Sequence, residues 1–164
     1  MSKKAIVVVG IITLALFAGC TSKDKDKGGA ATAAPDFALQ DNSGKKVRLA
    51  ELKGKVVLVE FWATWCPPCR DEIPVIERLH KLYGDKGLTV LAISMDEGDW
   101  DEVKAFAKER KISYTVLKGT EDVSTEYMVR LIPATFLIDK EGKINKQYMG
   151  GSNEALEQDI KALL

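Results

Sequence analysis

Residues Lys55 to Ala63, "KVVLVEFWA", form a nearly unbroken run of β-branched and aromatic side chains. A strand with one wet face alternates apolar and polar residues, whereas a continuous apolar run suits a strand covered on both faces. Directly after it, "CPPCRDEIPVIERLHKLYGDKG" spaces Ile73, Ile76, Leu79 and Leu82 as one helical stripe and stops at Gly84 and Gly87. A buried strand followed by an amphipathic helix is the unit from which layered α/β domains are built.

The rest of the chain extends that unit. "FALQDNSGKKVRL" has two short extended runs around Asn42-Ser43-Gly44, a hairpin signal ahead of the buried strand. "LTVLAISM" reads as a second buried strand, and "DWDEVKAFAKERK" as a helix with Trp100, Val103, Phe106 and Ala107 inward. "YTVLK" is a short strand and "EDVSTEYMV" a short helix. "PATFLID" and "INKQYMG" flank "KEG" as a second hairpin, and "NEALEQDIKALL" closes as a helix capped by Ser152 or Asn153. The expected architecture is α/β, with a mixed central sheet, helices on both faces and an N-terminal β-hairpin.

A chain of 164 residues with 46% hydrophobic content supplies one ordinary core. Basic and acidic side chains balance at 24 each and are interspersed, which argues against nucleic acid as a partner. "MSKK" precedes an apolar run from Ala5 to Ala18, short for a membrane span and typical of a signal-peptide core, with an uncleaved N-terminal anchor as the alternative. "LFAGC" resembles a bacterial lipobox, although Phe17 stands where that pattern favours leucine. The resemblance implies cleavage after residue 19 and a lipid-modified Cys20 that never acts as a thiol. "TSKDKDKGGAATAAP" then has too little apolar content to bury, and reads as a flexible leash. The expected organisation is a leader over 1–19, a lipidated linker over 20–35 and a folded domain over 36–164.

Cys66 and Cys69 are the two remaining cysteines. A bridge between them closes so small a loop that it adds little stability, which makes a structural staple a poor explanation. Structural zinc takes four ligands, but the chain has one CxxC and a single histidine, His80, which reads as a solvated helix residue. The pair falls where the buried strand turns into its helix, the usual place for chemistry in open α/β sheets. Pro67 fits the first helical position. Cys66 then faces the unpaired N–H groups of the helix start, which favour thiolate over thiol, and is the expected nucleophile. Cys69, one turn in, is the expected resolving cysteine, and Trp65 supplies an apolar rim.

"VLVEFWATWCPPCRDEIP" together with "RLIPATFLID" resembles the thioredoxin superfamily, and more narrowly the membrane-anchored TlpA/ResA-like thiol–disulfide oxidoreductases. The likeness covers Pro35 to Leu164 and includes Pro74, placed where thioredoxin-like helices carry a proline. It implies that Ile132-Pro133 is a cis-proline loop lying against the dithiol, with the Ile132 backbone free to pair with an extended substrate. Trp65, Pro67, Pro68, Ile132 and Pro133 are then the substrate-binding residues.

Two carboxylates bear on the same chemistry. Glu60 stands where thioredoxin has a buried acid, implying a raised pKa and proton transfer with Cys69; the alternative is a solvent-exposed glutamate at a strand end. Glu72 matches an acidic residue that ResA-type proteins hold near the active site and would tune its pKa. Arg70, Asp71 and Glu72 read equally well as a solvated helix face.

The expected function is an extracytoplasmic thiol–disulfide oxidoreductase, a monomer with no cofactor beyond its redox-active Cys66–Cys69 disulfide. Its partners are thiol or disulfide client proteins, apocytochrome c among them by resemblance, and a membrane electron donor of thiol–disulfide type. A peroxiredoxin-like peroxidase is the first alternative, but Val59 and Ala63 occupy the positions where that branch carries proline and threonine or serine. A copper- or haem-handling chaperone using the same two sulfurs is the second, without a methionine or histidine cluster beside the motif to support it.

Overall fold

The computed structural model describes residues 32–150 and 154–164. The leader, Cys20, the linker up to residue 31 and the cap expected at Ser152 or Asn153 lie outside these residues. The elements run β1 (Ala38–Gln40), β2 (Lys46–Arg48), β3 (Val56–Trp62), α1 (Pro67–Tyr83), β4 (Leu88–Ser94), α2 (Trp100–Glu109), β5 (Thr115–Lys118), α3 (Glu121–Glu126), β6 (Ala134–Ile138), β7 (Ile144–Met149) and α4 (Glu154–Leu163).

All seven residues of β3 are buried, because the strand lies at the centre of a five-stranded sheet ordered β5-β4-β3-β6-β7. β3 runs parallel to β4 and antiparallel to β6, so the sheet is mixed as expected. Alternate residues of β3 feed two cores. Val56, Leu58 and Trp62 pack with Ile73, Ile76 and Leu79 of α1, Val103 and Ala107 of α2, and Leu156 and Ile160 of α4. Val57, Val59 and Phe61 pack on the other side with Phe37, Leu39 and Leu49 near the N-terminal hairpin and with Val123 and Tyr127 around α3. There the Phe61, Tyr127 and Phe136 rings meet with centroids 5.1 to 5.8 Å apart. Each such side chain contributes roughly 1.5–3 kcal/mol on full burial, so β3 adds packing energy on both faces.

Three local readings change. Leu82 is 46% exposed, whereas Tyr83 is buried and joins the core. At 100° per residue, position 83 falls closer to the line of Ile73 and Ile76 than position 82 does. His80 is half-buried rather than solvated, its ring set edge-on to Tyr114 at a centroid distance of 6.1 Å. Finally, Thr32 to Ala34 are strapped to the β6–β7 turn: the Ile144 N–H donates to Thr32 C=O at 2.8 Å and the Ala34 N–H to Gly142 C=O at 2.9 Å. Main-chain pairing of this kind leaves no trace in composition.

The C-terminal ends of β3, β4 and β5 gather at one pole of the sheet. Gly119, just past β5, donates its N–H to Ser94 C=O at 2.9 Å, and a Cβ at Gly119 would lie 2.3 Å from that same oxygen. Gly119→Ala is therefore expected to lower stability by about 2 kcal/mol or more, read as a reduced urea midpoint; an unchanged midpoint would show that this pole relaxes freely.

Candidate active site

β3 ends at Trp62, and the chain turns through Ala63, Thr64 and Trp65 before α1 begins at Pro67. Cys66 is the N-cap of α1: its backbone is extended (φ −89°, ψ 108°) and its sulfur accepts the Cys69 N–H at 3.3 Å. Pro67 occupies the first helical position, where no N–H is needed. Pro74 lies within α1 and leaves the Arg70 carbonyl without its usual helical donor.

Cys66 and Cys69 are joined as a disulfide with Cα atoms 5.3 Å apart. Cys69 is wholly buried and Cys66 is 3% exposed, while Trp65, Pro67 and Pro68 around them are open to solvent. The Ile132–Pro133 bond is cis, and Cys66 Sγ lies 4.0 Å from the Ile132 carbonyl oxygen. The oxidised sulfur has no proton to donate, so this is a contact that a reduced Cys66 could convert into a hydrogen bond. Five of the expected residues thus meet at one rim: Trp65, Cys66, Pro67, Pro68 and Ile132, with Pro133 buried behind them.

Beside the rim runs a shallow groove lined by Trp65, Met95, Val129, Leu131 and Ile132, together with Ser124 and Arg130. Trp65 is 64% and Leu131 72% exposed, a large apolar surface next to a reactive pair. Met95, Val129 and Leu131 were not singled out from the sequence. The available signal was that apolar residues in the loops flanking the motif and the cis-proline have no helical or strand stripe to join.

The two carboxylates both lie inside. Glu60 is 1% and Glu72 6% exposed, so neither the strand-end nor the solvated-face alternative describes them, although Asp71 next door is exposed. Glu60 lies between Leu58 and Trp62 on the α1 side of β3, and its Oε1 has no hydrogen-bond partner among the described residues. Burial, with a smaller contribution from the Glu72 charge, pushes the Glu60 carboxyl up to about 8. It is therefore mostly a neutral acid at pH 7. Among the described residues, no group of three or more His, Cys, Asp or Glu side chains is placed to hold a metal ion.

A mixed sheet whose central strand delivers a CxxC pair to a helix N-terminus, facing a cis-proline, defines a thioredoxin-like thiol–disulfide oxidoreductase. The chain belongs to the AhpC/TSA family, whose model matches residues 30–147. It is 37% identical over 147 residues to the thiol-disulfide oxidoreductase ResA of Bacillus cereus, covering 88% of this chain and 83% of that protein. It is 38% identical over 130 residues to the thioredoxin-like protein YneN of Bacillus subtilis, covering 77% and 76%. Among solved structures, a thioredoxin-family thiol:disulfide interchange protein from Chlorobium tepidum superposes with a TM-score of 0.74 at 31% identity, over 82% of this chain and 97% of that one.

The buried acid makes stability depend on pH. Folded Glu60 keeps its proton up to about pH 8, whereas in the unfolded chain it loses it near 4.5. Between those values the unfolded state binds fewer protons, so stability falls as pH rises. The contribution of Glu60 to the slope approaches ~1.4 kcal/mol per pH unit. Urea unfolding of the oxidised protein from pH 5 to 8 should show Glu60→Gln losing that component and Glu72→Gln moving the upper end of the window down. Equal slopes in wild type and Glu60→Gln would mean that Glu60 ionises normally when folded.

Proposed function

We propose that the protein is a membrane-tethered, extracytoplasmic reductant of client disulfides, working by dithiol–disulfide exchange at Cys66 and Cys69. The observation that carries this reading is the seat of Cys66: its sulfur rests on the Cys69 N–H at the start of α1 and faces the Ile132 carbonyl across an open apolar rim. A thiolate there is stabilised by the N–H and the helix dipole, and it is the species that attacks a disulfide.

In the reduced protein, Cys66 thiolate attacks one client sulfur, breaks the client S–S bond and releases the other client sulfur as a thiolate that takes up a proton. Cys69 then gives up its proton, to Glu60 in its ionised form, and attacks the Cys66 sulfur. The mixed disulfide breaks, the second client thiolate leaves, and the client has gained two electrons while Cys66 and Cys69 have lost them. An oxidising compartment does not return those electrons, so a membrane dithiol donor must reverse the exchange. Glu72 acts on this step through its charge on Glu60. Trp65, Pro67, Pro68 and Ile132 hold the client strand, and Pro133 backs them from the interior.

Placement outside the cytoplasm rests on the leader-like run over 1–19 and the lipobox-like "LFAGC", with Cys20 as the anchored residue. The resemblance to TlpA/ResA-type proteins points to apocytochrome c as one client. The thiol peroxidase reading has no support from the site: Ala63 brings no hydroxyl, and the Thr64 hydroxyl donates to Asp96 at 2.6 Å instead of facing the sulfur.

Two measurements test the proposal. Cys69→Ser, expressed in cells, should accumulate client proteins disulfide-linked to Cys66, and Cys66→Ser should not; equal recovery from both would remove the exchange mechanism. The Cys66–Cys69 reduction potential should lie far below the about −120 mV of a strong oxidant such as DsbA, and a value near that figure would make the protein an oxidant.

A further inference from the structure

The turn that presents Cys66 has an anchor outside its own segment. Asp96 follows β4, whose end lies beside that of β3, and the Met95 N–H donates to Trp62 C=O at 2.8 Å, carrying the parallel pairing past the strands. From there the Asp96 carboxylate reaches the residue two before the nucleophile. Its Oδ1 accepts the Thr64 hydroxyl at 2.6 Å, and its two oxygens share the Thr64 N–H at 3.2 and 3.1 Å. Oδ2 also accepts the Ser94 hydroxyl at 2.7 Å, while Ser94 Oγ accepts the Asp96 N–H at 3.2 Å. The carboxylate is thus held by its own strand end and holds both donors of Thr64.

We propose that Asp96 is a positioning residue for disulfide exchange, acting through Thr64 to hold Cys66 against the start of α1 and the Ile132 carbonyl. Within the turn, the Cys66 N–H to Ala63 C=O bond is 3.2 Å long, at the weak end of the range. Bonds to a carboxylate are stronger than neutral ones, so the Asp96–Thr64 pair is the stiffer restraint. Exchange requires the attacking sulfur to be aligned with the bond it breaks, and misplacement of a reacting group by about 1 Å can cost on the order of 100-fold in rate. The pair lies 32 residues apart in sequence and touches neither sulfur, which is why motif inspection passes over it.

This inference rests on the exchange reading above, and its test separates the two. Disulfide reduction and Cys66 alkylation in the reduced protein would be measured at pH 7 for wild type, Thr64→Val, Asp96→Ala, Asp96→Asn and the Thr64→Val/Asp96→Ala double variant, with urea midpoints alongside. Wild type with no disulfide reduction would defeat the exchange reading itself. Given an active wild type, Thr64→Val and Asp96→Ala should each slow both reactions by about 10-fold or more. The double variant should be no slower than Asp96→Ala, and Asp96→Asn, which keeps an oxygen for Thr64, should recover to within about threefold of wild type. Thr64→Val is nearly isosteric and guards against a variant that fails to fold. Lower urea midpoints with wild-type rates would reduce Asp96 to a structural tie, and additive rate losses in the double variant would likewise overturn the proposal.

Discussion

The constraint on which the rest of the structure depends is the complete burial of β3. A strand with no wet face must have a layer on each side, and those layers account for most of the other elements: α1, α2 and α4 over one surface, the N-terminal hairpin region and α3 over the other. The same burial fixes the chemistry. Because side chains alternate along a strand, Glu60 cannot leave the interior without turning Val59 and Phe61 out of the opposite core. The carboxyl is held in an apolar layer by the residues beside it, and its proton affinity rises accordingly.

The end of the strand matters as much as its body. β3 stops at the pole where α1 starts, so the first sulfur receives the Cys69 N–H at the start of the new helix while the second is drawn into the core one turn later. The pair is thereby made unequal by position: one sulfur at the rim, 4.0 Å from the Ile132 carbonyl oxygen, the other wholly buried one turn into α1. The attacking and resolving roles proposed for the two cysteines draw on that inequality, which the strand-to-helix turn supplies.

Much of this was legible in the sequence because it depends on residue type at short range. The unbroken run of β3, the Asn42-Ser43-Gly44 turn and the proline after Cys66 each announce a local geometry. Glu60 was legible as a charged residue inside an apolar run, an inconsistency that functional sites produce. What escaped depends on phase or on distance. Leu82 and Tyr83 are both apolar enough for the core, and only the accumulated helical phase selects the tyrosine. His80 is half-buried because Tyr114, distant in sequence, lies over it. The Thr32 to Ala34 strap is main-chain pairing, and Asp96 reads as one more acid in "MDEGDWDE" until β4 is laid beside β3.

The pKa of about 8 gives the proposed cycle its internal consistency. A carboxyl raised to about 8 lies much closer to the thiol range than an ordinary glutamate does, which suits it to exchanging a proton with a thiol. A solvated glutamate would sit about four units lower and could take that proton only at a cost of several kcal/mol. In the oxidised protein burial keeps Glu60 largely protonated near neutral pH, and in the proposed cycle it supplies the Cys69 thiolate when a donor opens the disulfide. In the proposed cycle one buried acid, held neutral by the strand that carries it, serves both directions of exchange, and the direction of net flow is left to the potentials of the donor and the client.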